Sequence, residues 1–191
     1  MSKSTVQTIA RILKVLVTVT FVCNLLALLL VPGLVMLPHT DSILADMEWS
    51  AQNTRGVLFF LPIGFIASWR SVWGDGAYSV VLTLFLLSCG ICTAAILWQG
   101  RRVLDTILQG TPFCPENAVS LRRAAVCSFV ISLAALARLI FSLYWFRSPA
   151  PLVSYNALFV PIFAMFGLLC LVMAALFGQA AEIKAENDLT I

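Results

Sequence analysis

Residues 110–123 read GTPFCPENAVSLRR, a polar stretch with two prolines between two long apolar segments. Gly110 is a helix-stop signal. Pro115 followed by Glu116 is a helix-start signal, because proline lacks the N–H that a first turn leaves unpaired and an acid suits the helix dipole. The stretch therefore predicts a tight turn between two antiparallel helices, which together form a hairpin.

The composition places this hairpin in a membrane protein. Of the 191 residues, 61% are hydrophobic and 11% are charged, whereas soluble domains average about 45–50% apolar and roughly 25% charged residues. We therefore predict an all-α integral membrane protein. The formal net charge is only +3, and the basic residues are scattered at the edges of apolar runs, which argues against direct binding of nucleic acid.

Four segments are long enough to cross a hydrocarbon core about 30 Å thick, which takes about 20 apolar residues. They cover approximately residues 12–37, 78–98, 124–146 and 152–177, and we predict one transmembrane domain over 1–191 that forms a four-helix bundle. The run from Val15 to Val31 is longer than the apolar core of a signal peptide and no small-residue cleavage site follows it, so we interpret it as an uncleaved anchor.

Basic residues predict the orientation, because short cytoplasmic segments are rich in lysine and arginine. They precede the first span and lie between the second and third spans, at Lys3, Arg11, Lys14, Arg101, Arg102, Arg122 and Arg123. We expect both termini, the hairpin at 99–123 and the tail at 178–191 to be cytoplasmic. The segment 38–77 would then be external, with an interfacial or re-entrant helix over 57–69; a short fifth span is the alternative.

Four arginines flank the hairpin. With the turn centred near Pro112, Arg101 lies level with Arg123, and Arg102 lies level with Arg122. We call these four residues the arginine collar and expect it to contact lipid headgroups. The tip would project about 15 Å beyond the collar. The collar either anchors the topology alone or also supports a tip that docks a soluble partner.

Two motifs carry a family resemblance: G-x-P-F-x-x-E-N-x-x-x-L-R-R at 110–123, and the ending AAEIKAENDLTI at 180–191. Both resemble signatures of the bacterial four-span membrane proteins filed as domain of unknown function 2975. The resemblance implies a bacterial cytoplasmic (inner) membrane protein with no established activity. Because members are often encoded beside a small helix-turn-helix regulator, it also implies such a regulator as a cytoplasmic partner. The long, tryptophan-rich outer segment departs from the family norm.

The hairpin and the tail provide the candidate partner-binding residues. They are Phe113, Glu116 and Asn117 in the hairpin, and Glu186, Asn187, Asp188, Leu189 and Ile191 in the tail. An acidic tail with aliphatic residues at its end can be captured as an added strand or through its carboxylate. The alternative is a frayed, solvated helix end. Our leading hypothesis is a non-enzymatic membrane sensor or regulator, and the sequence leaves homo-oligomerisation open.

Arg138 is the only formal charge well inside a predicted span, and intramembrane charges are functional candidates. Asn24 and Ser142 are its candidate partners within the membrane. The three residues form a candidate ligand site, so a small transporter or a ligand- or lipid-binding protein is an alternative function; a purely architectural role is the other interpretation. Ser128, Ser132 and Ala135, close to the face of Arg138, predict close helix packing.

Cys89 and Cys92 form a C-x-x-C pair, which makes a membrane thiol-redox enzyme a third hypothesis. The pair lies near mid-membrane and the outer segment has no cysteine to relay electrons, so packing as small apolar residues is the stronger interpretation. A soft-metal site among Cys23, Cys127 and Cys170 is conceivable, but we predict no metal and no cofactor. We find no phosphate loop, paired histidine-acid motif or nucleophile constellation, and therefore predict no enzymatic activity.

Overall fold

The structure, a computed structural model, describes residues 3–36, 69, 72–73 and 76–188. Most of these residues belong to four long helices: α1 (Lys3–Met36), α2 (Ala77–Leu108), α3 (Pro115–Phe146) and α4 (Tyr155–Asp188). Each contains a segment long and apolar enough to cross a membrane. The predicted helical class and the four apolar helices are therefore confirmed. The helix predicted over 57–69 lies outside the described residues, except for Trp69.

The helix boundaries follow the local signals in the sequence. The α2 helix continues past the second predicted span to Leu108, and Gly110 then adopts a left-handed conformation with φ +79°. The α3 helix begins at Pro115 with Glu116 in its first turn. At the other end of α3, Arg147 is left-handed and its N–H donates to the Leu143 carbonyl over 3.0 Å. A 3₁₀ helix at Ala150–Val153 leads into α4, which contains Pro161 as predicted.

Backbone contacts divide the chain into two compact units, Leu26–Leu87 and Met1–Leu25 with Ser88–Ile191. In the first unit, Val31 and Val72 are buried in an apolar cluster. This cluster is completed by three partly buried leucines, Leu82, Leu86 and Leu87. The first unit thus has a small core of its own.

In the larger unit, α1 and α2 pair in an antiparallel arrangement. Lys14 and Asp105 form an ion pair with an N–O distance of 2.6 Å. Seven residues further along α1, the rings of Phe21 and Trp98 lie 5.9 Å apart between centroids. Because the side chains of the ion pair are about one-third exposed, it contributes little to stability. Together, the ion pair and the aromatic contact define the register of the helix pair.

The α3 and α4 helices pack through small residues. The buried face of α3 contains Ala124, Ala125, Ser128, Ser132 and Ala135. On α4, Gly167 faces Phe129 so closely that a Cβ atom added to this glycine would lie 3.0 Å from the ring. The Ser132 hydroxyl donates to the Val160 carbonyl over 2.8 Å, next to Pro161. Such close approach and interhelical hydrogen bonding are typical of membrane helices.

Candidate functional site

Asn117 closes the turn between α2 and α3. Its side chain is 1% exposed, and its amide nitrogen donates to the Thr106 hydroxyl and to the Pro112 carbonyl, each over 2.7 Å. Thr106 in turn donates to the Val103 carbonyl over 2.7 Å. The side-chain amide thus substitutes for backbone hydrogen bonds that the turn cannot make. Asn117 therefore shapes the hairpin tip from within.

The hydrogen bond between Asn117 and Thr106 also gives the register of the hairpin. The predicted pairing of Arg101 with Arg123 puts Thr106 level with Ala118, and the observed partner, Asn117, is one residue away. The arginine collar thus lies around one level of the hairpin. Three of its members are exposed and Arg101 is half-buried. Among the residues described, no collar arginine forms an ion pair.

Phe113 joins the hairpin tip to α4. Its side chain is 49% exposed, and its ring packs against Phe177 with a centroid separation of 5.8 Å. The neighbouring Glu116 is exposed. The tip therefore has an apolar and an acidic side chain at its surface, and the apolar one is in contact with the residue that precedes the tail.

The tail continues α4 beyond the start of α3. A Cβ atom added to Gly178 would lie 3.9 Å from that of Ala118, so these two residues are level. Residues 182–188 then extend past Pro115 by about 10 Å, at the helical rise of about 1.5 Å per residue. Glu182, Ile183, Glu186 and Asn187 are exposed. The side chain of Asp188, and residues Leu189 and Ile191, lie outside the described part of the chain.

Arg138 binds a residue that the sequence analysis did not name. Its guanidinium donates to the Asn156 side-chain oxygen over 3.3 Å, and it is close enough to Cys89 for electrostatic interaction with the thiol. Of the two partners predicted for Arg138, Ser142 is half-buried one turn further along α3. The structure thus replaces an expected partner on α1 with one at the start of α4.

Asn24, the other predicted partner, lies at a different depth. The register of α1 and α2 puts Asn24 level with Ala95, about 9 Å along the axis from Cys89, which is the α2 residue near Arg138. Within the described residues, the Asn24 side-chain oxygen is buried and has no hydrogen-bond partner. The three residues of the predicted ligand site therefore do not share one level of the bundle.

The six cysteines, all within the described ranges, form no disulfide: Cys23, Cys89, Cys92, Cys114, Cys127 and Cys170 are free thiols. The thiol of Cys92 lies beside that of Cys127 on α3, and Cys89 lies towards Arg138. The two C-x-x-C thiols interact with each other, and each also has a different second neighbour. Within the ranges that the structure describes, no three metal-binding side chains come together.

Residues 39–191 match the model of a family described as "Protein of unknown function (DUF2975)". The chain belongs to this DUF2975 family. The match covers α2, α3, α4 and the hairpin, and it confirms the family resemblance carried by the two motifs. No curated protein and no solved structure matches the chain. The protein is thus a multi-pass membrane protein of the DUF2975 family.

The sequence did not predict three contacts of this DUF2975 protein: Thr106 with Asn117, Phe177 with Phe113, and Asn156 with Arg138. Thr106 and Asn156 are polar residues at the edges of apolar segments, a weak signal that an antiparallel alignment could have used. Phe177 has no such signal, because it is one of many apolar residues on α4. Its role depends on the register between α4 and the hairpin.

Proposed function

We propose that this protein is a non-enzymatic membrane regulator that binds a small cytoplasmic helix-turn-helix protein through its hairpin tip and tail. The observation that carries the proposal is the contact between Phe113 and Phe177. This contact joins the tip to the helix that continues as the tail. The two family motifs, which lie far apart in sequence, thereby contribute to one continuous surface.

The exposed side chains of this surface suit a protein partner. Phe113 is 49% exposed and Ile183 is 66% exposed, although both lie beyond the ends of the predicted spans. Exposed apolar side chains outside the bilayer are typical anchors of protein interfaces. Glu182 and Glu186 add negative charge around them. A DNA-binding regulator is basic on its recognition surface, so an acidic tail is complementary to that surface and competes with DNA for it.

The α4 helix offers a connection between the membrane interior and this surface. Pro161 removes one backbone hydrogen bond from α4, and Ser132 donates to the carbonyl just before it over 2.8 Å. One turn earlier, Asn156 accepts the hydrogen bond from Arg138. We propose that a ligand or lipid that rearranges these contacts tilts α4 and moves the tail. Such regulation requires two states of the bundle that differ in affinity for the partner.

The proposal is tested first by reading the neighbouring reading frame, which should encode a small helix-turn-helix protein, and then by expressing that protein with this one. The full-length membrane protein, solubilised in detergent, should co-purify with that regulator. Phe113→Ala, or deletion of residues 186–191, should weaken binding at least about tenfold, as expected when an interface anchor worth more than about 1.4 kcal/mol is lost. Phe146→Ala is a matched control, because Phe146 is 54% exposed but lies at the opposite end of α3. Equal affinity of all three variants and the unaltered protein would exclude this docking surface.

A further inference from the structure

A pocket lies between α2 and α3, beside the arginine collar. Its volume is about 280 Å³, and it is lined by Arg102 of α2 and by Pro115, Glu116, Val119, Ser120 and Arg123 of α3. The α3 residues form two adjacent pairs, 115–116 and 119–120, followed by 123, a spacing that keeps them on one face of the helix. Arg102 approaches this face from the facing helix. The pocket therefore has walls from both arms of the hairpin.

Two features of the pocket point to a phosphate group. Arg102 and Arg123 present two guanidinium groups, the side chain best suited to phosphate oxygens. Ser120 is 3% exposed and lines the pocket, so its hydroxyl offers a further hydrogen-bond donor there. A phosphate oxygen in the pocket would accept its hydrogen bond.

Glu116 restricts the kinds of phosphate-containing ligand that the pocket can bind. Its carboxylate lines the same pocket and repels an anion, so the two arginines and this acid give the site a formal charge of +1. A ligand that carries both a phosphate and a cationic group would give each of these three side chains an opposite charge to contact. The carboxylate is in turn suited to an ammonium group. The chemistry of the three side chains matches a phosphodiester joined to a primary amine.

The order of the charges along α3 matches the order within a lipid headgroup. Arg123 borders the predicted span at 124–146, and Glu116 lies seven residues further from it, about 10 Å along the axis. Both side chains lean towards the N-terminus of α3, so the order of their charges along the axis follows the order of the two residues. A headgroup with its phosphate near the span and its amine further out would contact the arginines first and the acid second.

We propose that this pocket binds the phosphoethanolamine headgroup of a membrane lipid. Arg102 and Arg123 hold the phosphodiester, Ser120 donates a hydrogen bond to one of its oxygens, and Glu116 accepts from the ammonium group. This site is more specific than a collar that attracts any anionic lipid. It does not depend on the docking of a regulator.

The test measures the dissociation constant of the full-length, detergent-solubilised protein for short-chain phosphatidylethanolamine, phosphatidylcholine and phosphatidylglycerol. The combined change Arg102→Gln and Arg123→Gln should weaken binding of phosphatidylethanolamine at least about tenfold, because charge-assisted hydrogen bonds are lost. The combined change Arg101→Gln and Arg122→Gln is the matched control: it removes the same charge from the collar but leaves the pocket residues in place. It should weaken binding less than about threefold, through screened long-range attraction alone.

Two further variants assign the remaining contacts. Ser120→Ala should weaken phosphatidylethanolamine binding by roughly three- to tenfold, the effect of one hydrogen bond. Glu116→Gln should abolish the preference for phosphatidylethanolamine over phosphatidylcholine and strengthen binding of phosphatidylglycerol. The thermal midpoint of each variant without added lipid shows whether the fold is intact. If the Arg102→Gln and Arg123→Gln double variant unfolds, Ser120→Ala still tests the pocket, because it keeps both arginine charges.

Three results would overturn the proposal. Equal losses in the two arginine pairs would mean that the collar attracts lipid without a specific pocket. Displacement of the lipid by equimolar inorganic phosphate would mean that the pocket recognises free phosphate rather than a headgroup. An unchanged preference for phosphatidylethanolamine in Glu116→Gln would mean that the carboxylate does not recognise the amine.

Discussion

Phe113 and Phe177 lie with their ring centroids 5.8 Å apart, so the hairpin tip contacts α4 where the tail begins. An aromatic pair of this kind contributes about 0.5–1.5 kcal/mol beyond its buried area. This contact is small enough to be broken without unfolding the bundle. It is therefore a point at which the tip and the tail can be uncoupled by a single substitution.

Phe177→Ala should loosen the tip relative to the tail. With spin labels introduced at Gln109 and Glu182, the distribution of distances between the labels should broaden, because the tip loses its contact with α4. Phe163→Ala provides the control, since Phe163 stacks on Phe159 within α4, away from the tip. A distribution as narrow as that of the unaltered protein would show that other contacts hold the tip in place.

Asn117→Ala should destabilise the hairpin turn by about 1–3 kcal/mol, because the Pro112 carbonyl and the Thr106 hydroxyl lose their donor. Hydrogen exchange should accelerate at the backbone amides of Gly110 and Thr111, which bond within the turn. Gln109→Ala changes an exposed neighbour and should leave exchange unaltered. Unchanged protection in Asn117→Ala would indicate that the backbone alone specifies the turn.

Gly110→Ala and Gly100→Ala should have opposite effects on stability. Neither added Cβ would meet an atom within 4 Å, but Gly110 has φ +79° whereas Gly100 lies inside α2. Alanine at 110 should therefore cost about 1 kcal/mol of backbone strain, and alanine at 100 should stabilise the helix by up to about 1 kcal/mol. Thermal unfolding in detergent measures both, and a loss of stability at position 100 would contradict this account.

Gly167→Ala should destabilise the α3–α4 pair by about 1–3 kcal/mol, because the new methyl group would lie 3.0 Å from the Phe129 ring. Gly178→Ala is the matched control, since its methyl group would make an ordinary 3.9 Å contact with Ala118. Adding Phe129→Leu to Gly167→Ala should recover part of the loss. If the losses of stability from the two substitutions simply add in the double variant, the contact between residue 167 and the Phe129 ring is not the cause of the destabilisation.

Replacing both Cys89 and Cys92 by serine should leave binding of the proposed helix-turn-helix partner unchanged. Cys92 lies beside Cys127, Cys89 interacts electrostatically with Cys92 and Arg138, and serine is close to cysteine in size. The affinity of the serine variant for this partner, measured by co-purification, tests the prediction, and Phe113→Ala is the positive control for loss of binding. Lost binding in the serine variant, with an unchanged thermal midpoint, would favour the thiol-redox hypothesis instead.

Sequence signals predicted the helices well because those signals are local. The start of α3 at Pro115, the left-handed Gly110 and the hairpin register within one residue all follow from turn chemistry and apolar periodicity. The partner of Arg138 did not follow, since Asn156 meets it only through the register of α3 and α4. Lipid-facing and helix-facing residues are equally apolar in a membrane protein, so periodicity says little about which faces pair. Asn117, predicted to face a partner, is instead buried in the turn. The sequence could not distinguish these two roles, because an asparagine at this position is suited to either.

The contact between Phe113 and Phe177 has a consequence for biogenesis. The hairpin is synthesised before α4, so its tip leaves the ribosome without the ring that later packs against it. The tip and the tail can therefore form one surface only after most of α4 has been translated and paired with α3. A chain interrupted before residue 177 lacks the ring that packs against Phe113. Assembly of this surface thus reports that translation has passed through α4.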